Sequence, residues 1–202
     1  MKRITGVRTV SEWLAALGTS GGGCLGALRD LYGDDEALLA GKASEFRRAL
    51  EAFAAAYGTA APALVVRSAG RVNLLGMHVD HRGGHVNPIA ISELLLIAEP
   101  RDDDRVVLAN TDPARYPDDA FAIGDELPRT KIPDWDAWTQ ARAQERRRAG
   151  RAGAWSDYGR SAVLYLQHLN TTDEGRFDPP LRGMNVVVHG LIPPAAGLSS
   201  SS

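Results

Sequence analysis

The chain has one cysteine, Cys24, so no disulfide can form within it, which suits a reducing compartment. It has no apolar run near the ~18 residues a membrane span requires, and no apolar core of signal-peptide length follows Met1-Lys2-Arg3. Charge of one sign is also lacking. Lys and Arg number 23 against 25 Asp and Glu, and a net charge of −2 gives no global pull toward nucleic acid or an anionic membrane. These absences predict a cytoplasmic protein with no nucleic-acid and no membrane partner, leaving its oligomeric state open. With 44% apolar residues in 202, the chain can still fill one sizeable core or two small ones.

Glycine and histidine are concentrated in one place. Ser68 to His85 holds Gly70, Gly76, Gly83 and Gly84 together with Arg71, His78, Asp80, His81 and His85. An apolar run at Ala63 to Val66 reads as a strand before it, and a second run, Val86 to Ala98, follows. Closely spaced glycines let backbone approach a ligand, and the polar groups between them suit directed hydrogen bonds to a polar substrate. His78, His81, His85 and Asp80 could also be read as zinc ligands, but Gly83-Gly84 interrupts the spacing needed for a helix-borne site.

Residues 1 to 60 read as a helical segment. Ser11 caps a helix closed by Gly18, and Leu38, Phe46, Leu50, Phe53 and Tyr57 give an amphipathic helix over 34–57 ending at Gly58. Gly21-Gly22-Gly23 is a turn rather than a phosphate cradle, since no strand precedes it and no Lys-Ser/Thr pair follows. Beyond the glycine-rich stretch, Arg101 to Arg105 reads as the polar turn of a hairpin rather than a metal site. Thr111 to Pro133 is loop-rich. A helix spans 134–150, its Arg146-Arg147-Arg148 run a solvated face near the C-terminus. Trp155-Ser156-Asp157-Tyr158 opens another, with Val163, Leu164, Leu166 and Leu169 as its apolar face. Cys24, His168 and His189 read as structural residues.

A second polar segment follows the β-branched run Met184 to Val188. Ile192-Pro193-Pro194-Ala195-Ala196-Gly197-Leu198-Ser199-Ser200-Ser201 is either a phosphate site, with backbone amides and hydroxyls converging on an anion, or a flexible serine tail. Composition does not choose between them.

Taken together, the two segments are more specific than either one. Gly70-Arg71-Val72-Asn73-Leu74-Leu75-Gly76-x-His78-x-Asp80 with Gly83-Gly84 resembles the galactokinase signature. Ile192-Pro193-x-x-Ala196-Gly197-Leu198-Ser199-Ser200-Ser201 resembles the ATP-phosphate loop of the same group, the GHMP small-molecule kinases. The resemblance implies an α+β fold, the GHMP kinase N-terminal domain (ribosomal protein S5 domain 2-like), occupying residues 61–202 after a helical segment 1–60. It also implies a truncated chain without the ferredoxin-like C-terminal domain or the catalytic aspartate, and so inactive alone.

The activity implied is transfer of the γ-phosphoryl of ATP, with Mg2+, to a sugar's anomeric hydroxyl. Arg71 would hold the catalytic aspartate or the transferring group. His78 and Asp80 would hydrogen-bond the sugar, with Met77, His81, Gly83 and Gly84 lining its pocket. Ala195, Ala196, Gly197, Leu198, Ser199, Ser200 and Ser201 would wrap the phosphates, and Ser201 would meet magnesium. Met77 replaces the family's glutamate and His81 its tyrosine, which favours a uronic acid or other non-galactose sugar. The alternatives are a galactokinase proper and a non-catalytic sugar and ATP sensor of the same family.

Overall fold

The computed structural model describes residues 6–18, 23–76, 79, 82–128, 130–151 and 153–192. It is a mixed α+β structure, as expected, with two compact units. The first comprises residues 1–99 and 187–202, the second residues 100–186.

In the first unit, strand β1 (Arg8–Thr9) leads into helix α1 (Val10–Gly18). Thr9 and Glu12 exchange the reciprocal bonds of a capping box, Thr9 N–H to Glu12 at 2.8 Å and Glu12 N–H to the Thr9 hydroxyl at 3.3 Å. Thr9, not Ser11, therefore caps this helix. Helix α2 (Cys24–Tyr32), which the glycine-rich sequence ahead of it hid, is followed by α3 (Glu36–Tyr57). The Asp35 carboxylate caps α3 through the Leu38 N–H at 3.0 Å, and Gly58 ends it at φ +90°. Its buried face is Leu39, Ala49, Leu50 and Phe53, whereas Leu38, expected inward, is 43% exposed. Val10, Trp13, Leu17 and Leu28 join that core, with Ala63, Leu95 and Ile97 from the strands. The helical segment 1–60 is thus compact with the sheet that follows it.

Strand order in this unit is β1, β2 (Pro62–Leu75), β3 (Asn87–Pro100) and then β6 (Met184–Gly190), whose last residues belong here. Strand β2 runs much further than Ala63 to Val66. It carries the first half of the glycine-rich stretch as sheet rather than loop.

In the second unit, β4 (Arg105–Asn110) pairs antiparallel with β5 (Asp119–Ala122), and β6 lies on the other side of β4. Arg101 to Asp104 is the expected polar turn, but it does not close a hairpin. Its backbone bonds instead to Gly183, Arg101 N–H to the Gly183 carbonyl at 2.9 Å and Gly183 N–H to the Asp103 carbonyl at 2.6 Å. A Cβ on Gly183 would lie 2.1 Å from the Arg105 carbonyl oxygen, so only glycine allows this approach. Helix α4 (Ile123–Glu126) and strand β5 occupy part of the stretch read as loop.

Helix α5 (Trp135–Arg148) buries no residue; Arg147 and Arg148 are exposed as expected of a solvated basic end, but Arg146 is half-buried and pairs with Asp157 at 2.6 Å. Helix α6 (Asp157–Leu169) buries Arg160, Val163, Leu164 and Gln167, leaving Leu166 and Leu169 at 51% and 61% exposure. The stripe runs through two polar residues because both find partners, although Arg160 Nε is buried and meets no acceptor among the described residues. Arg160 pairs with Glu126 and, at 2.8 Å, with Asp119, while Gln167 accepts the Leu181 N–H at 2.6 Å. No helix among the described residues is long and apolar enough to cross a membrane.

Candidate functional site

The polar segment singled out from the sequence is two strands and their connection. Strands β2 and β3 pair antiparallel from Leu64 opposite Ala98 to Ala69 opposite Glu93. The ladder resumes at Arg71 opposite Ala90, so β3 holds one residue more than β2 across this step. After Asn73 opposite Pro88 it shifts back to Leu75 opposite Asn87, the extra residue now on β2. Arg71, Val72 and Asn73 therefore lie in a register slipped by one from the strand on either side. Side chains alternate across a sheet, so a one-residue slip changes which of them share a face with the partner strand. Between the two bulges Arg71 is exposed, with no ion-pair partner among the described residues. The Asn73 side-chain oxygen beside it is buried and meets no donor among those residues.

Beyond Leu75 the chain turns on glycine. Gly76 has φ +82°, and a Cβ there would stand 2.3 Å from the His85 carbonyl oxygen. The base of the connection can close this tightly only around glycine. The Val79 carbonyl accepts the N–H of Arg82 at 3.0 Å and of Gly84 at 2.8 Å, while Gly83 takes φ +78°. Gly84 packs so closely on Val79 that a Cβ would lie 2.8 Å from the valine Cβ. Its amide is thus spent on the turn. Met77, His78, Asp80 and His81 lie outside the described residues, as does most of the histidine cluster read as a possible zinc site.

The second segment enters beside the first. The Leu191 N–H bonds the Glu93 carbonyl at 2.9 Å, and Ile192 is buried. A Cβ on Gly70 would lie 2.7 Å from Cδ1 of Ile192, with Cγ1 of Ile91 at 3.1 Å behind it. The first residue of the proline- and serine-rich motif is therefore seated on the first residue of the glycine-arginine motif. Ala195, Ala196, Gly197, Leu198, Ser199, Ser200 and Ser201 lie outside the described residues.

Four titratable residues, Glu93, Lys42, Arg67 and Tyr32, escaped the sequence reading. Glu93, at 1% exposure, receives Lys42 Nζ of α3 at 2.6 Å on one carboxylate oxygen and Arg67 Nε of β2 at 3.3 Å on the other. Arg67 Nε also donates to the Tyr32 hydroxyl at 2.8 Å, and both cations lie over the Tyr32 ring. Burial, reinforced by the neighbouring Glu93 carboxylate, pushes the Tyr32 hydroxyl up to about 12. The available signal was one glutamate in the apolar run Ile89 to Ala98. A residue of that kind is buried only with partners.

His189 on β6 is buried against Glu45 of α3, Nε2 to Oε2 at 2.7 Å, in keeping with a structural role. Burial pushes the Cys24 thiol up, away from nucleophilic use. His168 stacks on Trp135 at 4.7 Å, and burial lowers its pKa. A cavity of about 600 Å³ in the second unit is lined by residues of α5 and α6. Ion pairs Arg142–Glu145 and Arg146–Asp157 occupy much of its charge, and no residue of either motif lines it. Among the described residues, no group of His, Cys, Asp or Glu could hold a metal ion.

The galactokinase galactose-binding signature matches residues 51–98, from the end of α3 through β3. A galactokinase of Candida parapsilosis is 27% identical over 164 residues, 79% of this chain and 27% of its own. One from Limosilactobacillus fermentum is 33% identical over 138 residues, 67% of this chain and 28% of its own. Among solved structures, Lactococcus lactis galactokinase complexed with galactose matches with TM-score 0.51 and 26% identity, over 75% of this chain and 32% of that one. The chain thus spans about a third or less of the relatives it matches. They are sugar kinases, and they point to galactokinase rather than to a uronate kinase, against the expectation drawn from Met77 and His81.

Proposed function

For this galactokinase-like chain of the GHMP small-molecule kinases, we propose a part in the ATP-dependent phosphorylation of the anomeric hydroxyl of a monosaccharide, with galactose the first candidate. The observation that carries it is the seating of Ile192 on Gly70, which brings the entry of the serine-rich segment to the strand that bears Arg71. A sugar kinase needs those two ligands side by side, because phosphoryl transfer depends on positioning and charge neutralisation more than on covalent chemistry.

The exposed guanidinium of Arg71 fits an anionic group, and unlike Arg29 and Arg67 of this unit it has no ion-pair partner among the described residues. It would steady the transferring phosphoryl group or the carboxylate that accepts the hydroxyl proton. His78 and Asp80 would orient the sugar by hydrogen bonds, with Met77, His81, Gly83 and Gly84 around it. Residues 195–201 would cradle the phosphates with backbone amides and hydroxyls, and Ser201 would offer its oxygen to magnesium. ATP, when bound, supplies the phosphoryl group, and Mg2+ neutralises its charge.

Met77 supports a second reading. A thioether is a feeble acceptor for a 6-hydroxyl, and it removes the repulsion a glutamate would exert on a C6 carboxylate. Phosphorylation assays with galactose, glucose and galacturonate separate the two. Turnover or binding specific to galactose is expected. Preference for galacturonate would establish the second reading, and no response to any sugar or to ATP would leave the sensor and kinase readings both without support.

A further inference from the structure

We propose that Glu93 is a positioning residue for both ligand-binding segments, tying the strand that carries Arg71 to the entry of the serine-rich segment. This rests on the sugar-kinase reading. Three bonds meet at this one residue. Its carboxylate holds Lys42 of α3 at 2.6 Å and Arg67 of β2 at 3.3 Å, and its backbone carbonyl holds Leu191 at 2.9 Å. Its place in the ladder gives the cluster its purpose. Glu93 stands opposite Ala69, the last regular pair before the bulge that re-aims Arg71. Within the bulge that follows it, Ile91 closes the space around Gly70 and Ile192.

A buried ion pair is a poor device for stability alone, since well-packed apolar residues often serve as well or better. It is a good device for fixing register. Directed bonds on both carboxylate oxygens allow one position of β3 against β2 and α3, whereas apolar contacts tolerate sliding. Movement of β3 here would displace the bulge and Leu191 together. Sugar and nucleotide should therefore lose affinity together when the clamp is removed, although Glu93 touches neither.

The test uses the full chain with Glu93→Gln and with the double variant Glu93→Gln/Lys42→Met, which removes the charge pair at similar volume. Hydrogen exchange at the amides of Leu191 and of 71–73 is compared with that of β4, and affinities for galactose and ATP are measured by calorimetry. The double variant should melt close to the unaltered chain. Its Leu191 and 71–73 amides should nevertheless exchange faster while β4 is unchanged, and both affinities should fall by on the order of tenfold. Recovery of exchange and affinities in the double variant would overturn the proposal, reducing Glu93 to a stability element. So would exchange that rises equally in β4. If the unaltered chain binds neither ligand, the kinase reading fails, and the exchange at Leu191 still decides whether Glu93 positions it.

Discussion

Gly70→Ala tests the seating of one motif on the other with a single methyl group. Gly70 is not in a positive-φ conformation, so alanine meets no backbone strain and the cost is one of space. The new Cβ would lie 2.7 Å from Cδ1 and 3.1 Å from Cγ1 of Ile192, and 3.1 Å from Cγ1 of Ile91. Carbon atoms rest at ~3.5–4.0 Å, so the Ile192 methyl must retreat by roughly 1 Å. Ile91 restricts the methyl on the other side. Overpacking of this kind costs about 1–3 kcal/mol. Ile192→Val deletes the clashing Cδ1 and alone costs about 0.5–1.5 kcal/mol. In the double variant the alanine methyl fills the space the isoleucine gives up. The two substitutions should then be sub-additive by about 1 kcal/mol or more, within the range seen for residues in contact. Urea unfolding of the four chains, at unchanged m, gives the cycle. Strict additivity would refute the contact, and with it the structural basis for placing the serine-rich segment beside Arg71.

Three further outcomes follow from the same geometry. Arg71→Ala should leave the unfolding free energy within about 0.5 kcal/mol of the unaltered chain, since it is a surface change with no ion pair to lose among the described residues, yet abolish phosphoryl transfer in the assembled kinase; a large loss of stability would contradict its exposure. Gly76→Ala puts a methyl group 2.3 Å from the His85 carbonyl at φ +82°, so it should destabilise by at least about 1–3 kcal/mol and weaken sugar binding. Thermal melts of that variant check it. Asp103 is held down to about 2 by the hydrogen bond from Arg101, and the Ser156 and Arg160 hydrogen bonds hold Asp119 low against the opposing effect of burial. A depressed carboxylate stabilises the fold above its unfolded pKa, and that contribution is lost as pH falls from about 3.8 toward about 2 for Asp103. Melting curves over that interval should be shallower for Asp103→Asn than for the unaltered chain, and a parallel pair of curves would count against the bond.

Much of this structure was legible because local chemistry and tertiary packing agree. Asp35 and Gly58 bracket α3, and Asp134 caps α5, as side-chain and backbone rules require. The glycines of the Gly70 to His85 stretch mark real close approaches at 70, 76 and 84. What was hidden depends on distant partners. Arg160 and Gln167 displaced Leu166 and Leu169 from the buried face of α6 only because Asp119, Glu126 and Leu181 supply their bonds. The turn at Arg101 reads as a hairpin until β6, some eighty residues on, supplies the neighbour of β4. The bulges around Arg71 have no sequence signature, since they arise from how two strands pair. Glu93 was visible as an oddity in an apolar run, but its cations come from α3 and β2.

The most direct test of the central claim, that the β2–β3 segment is a sugar site, is a galactose titration followed by backbone amide NMR. The account predicts saturable shifts at 71–76 and 82–90, with the β4 and β5 amides unmoved, and their loss in Arg71→Ala at unchanged fold. Shifts confined to other residues, or none at saturating galactose, would contradict it.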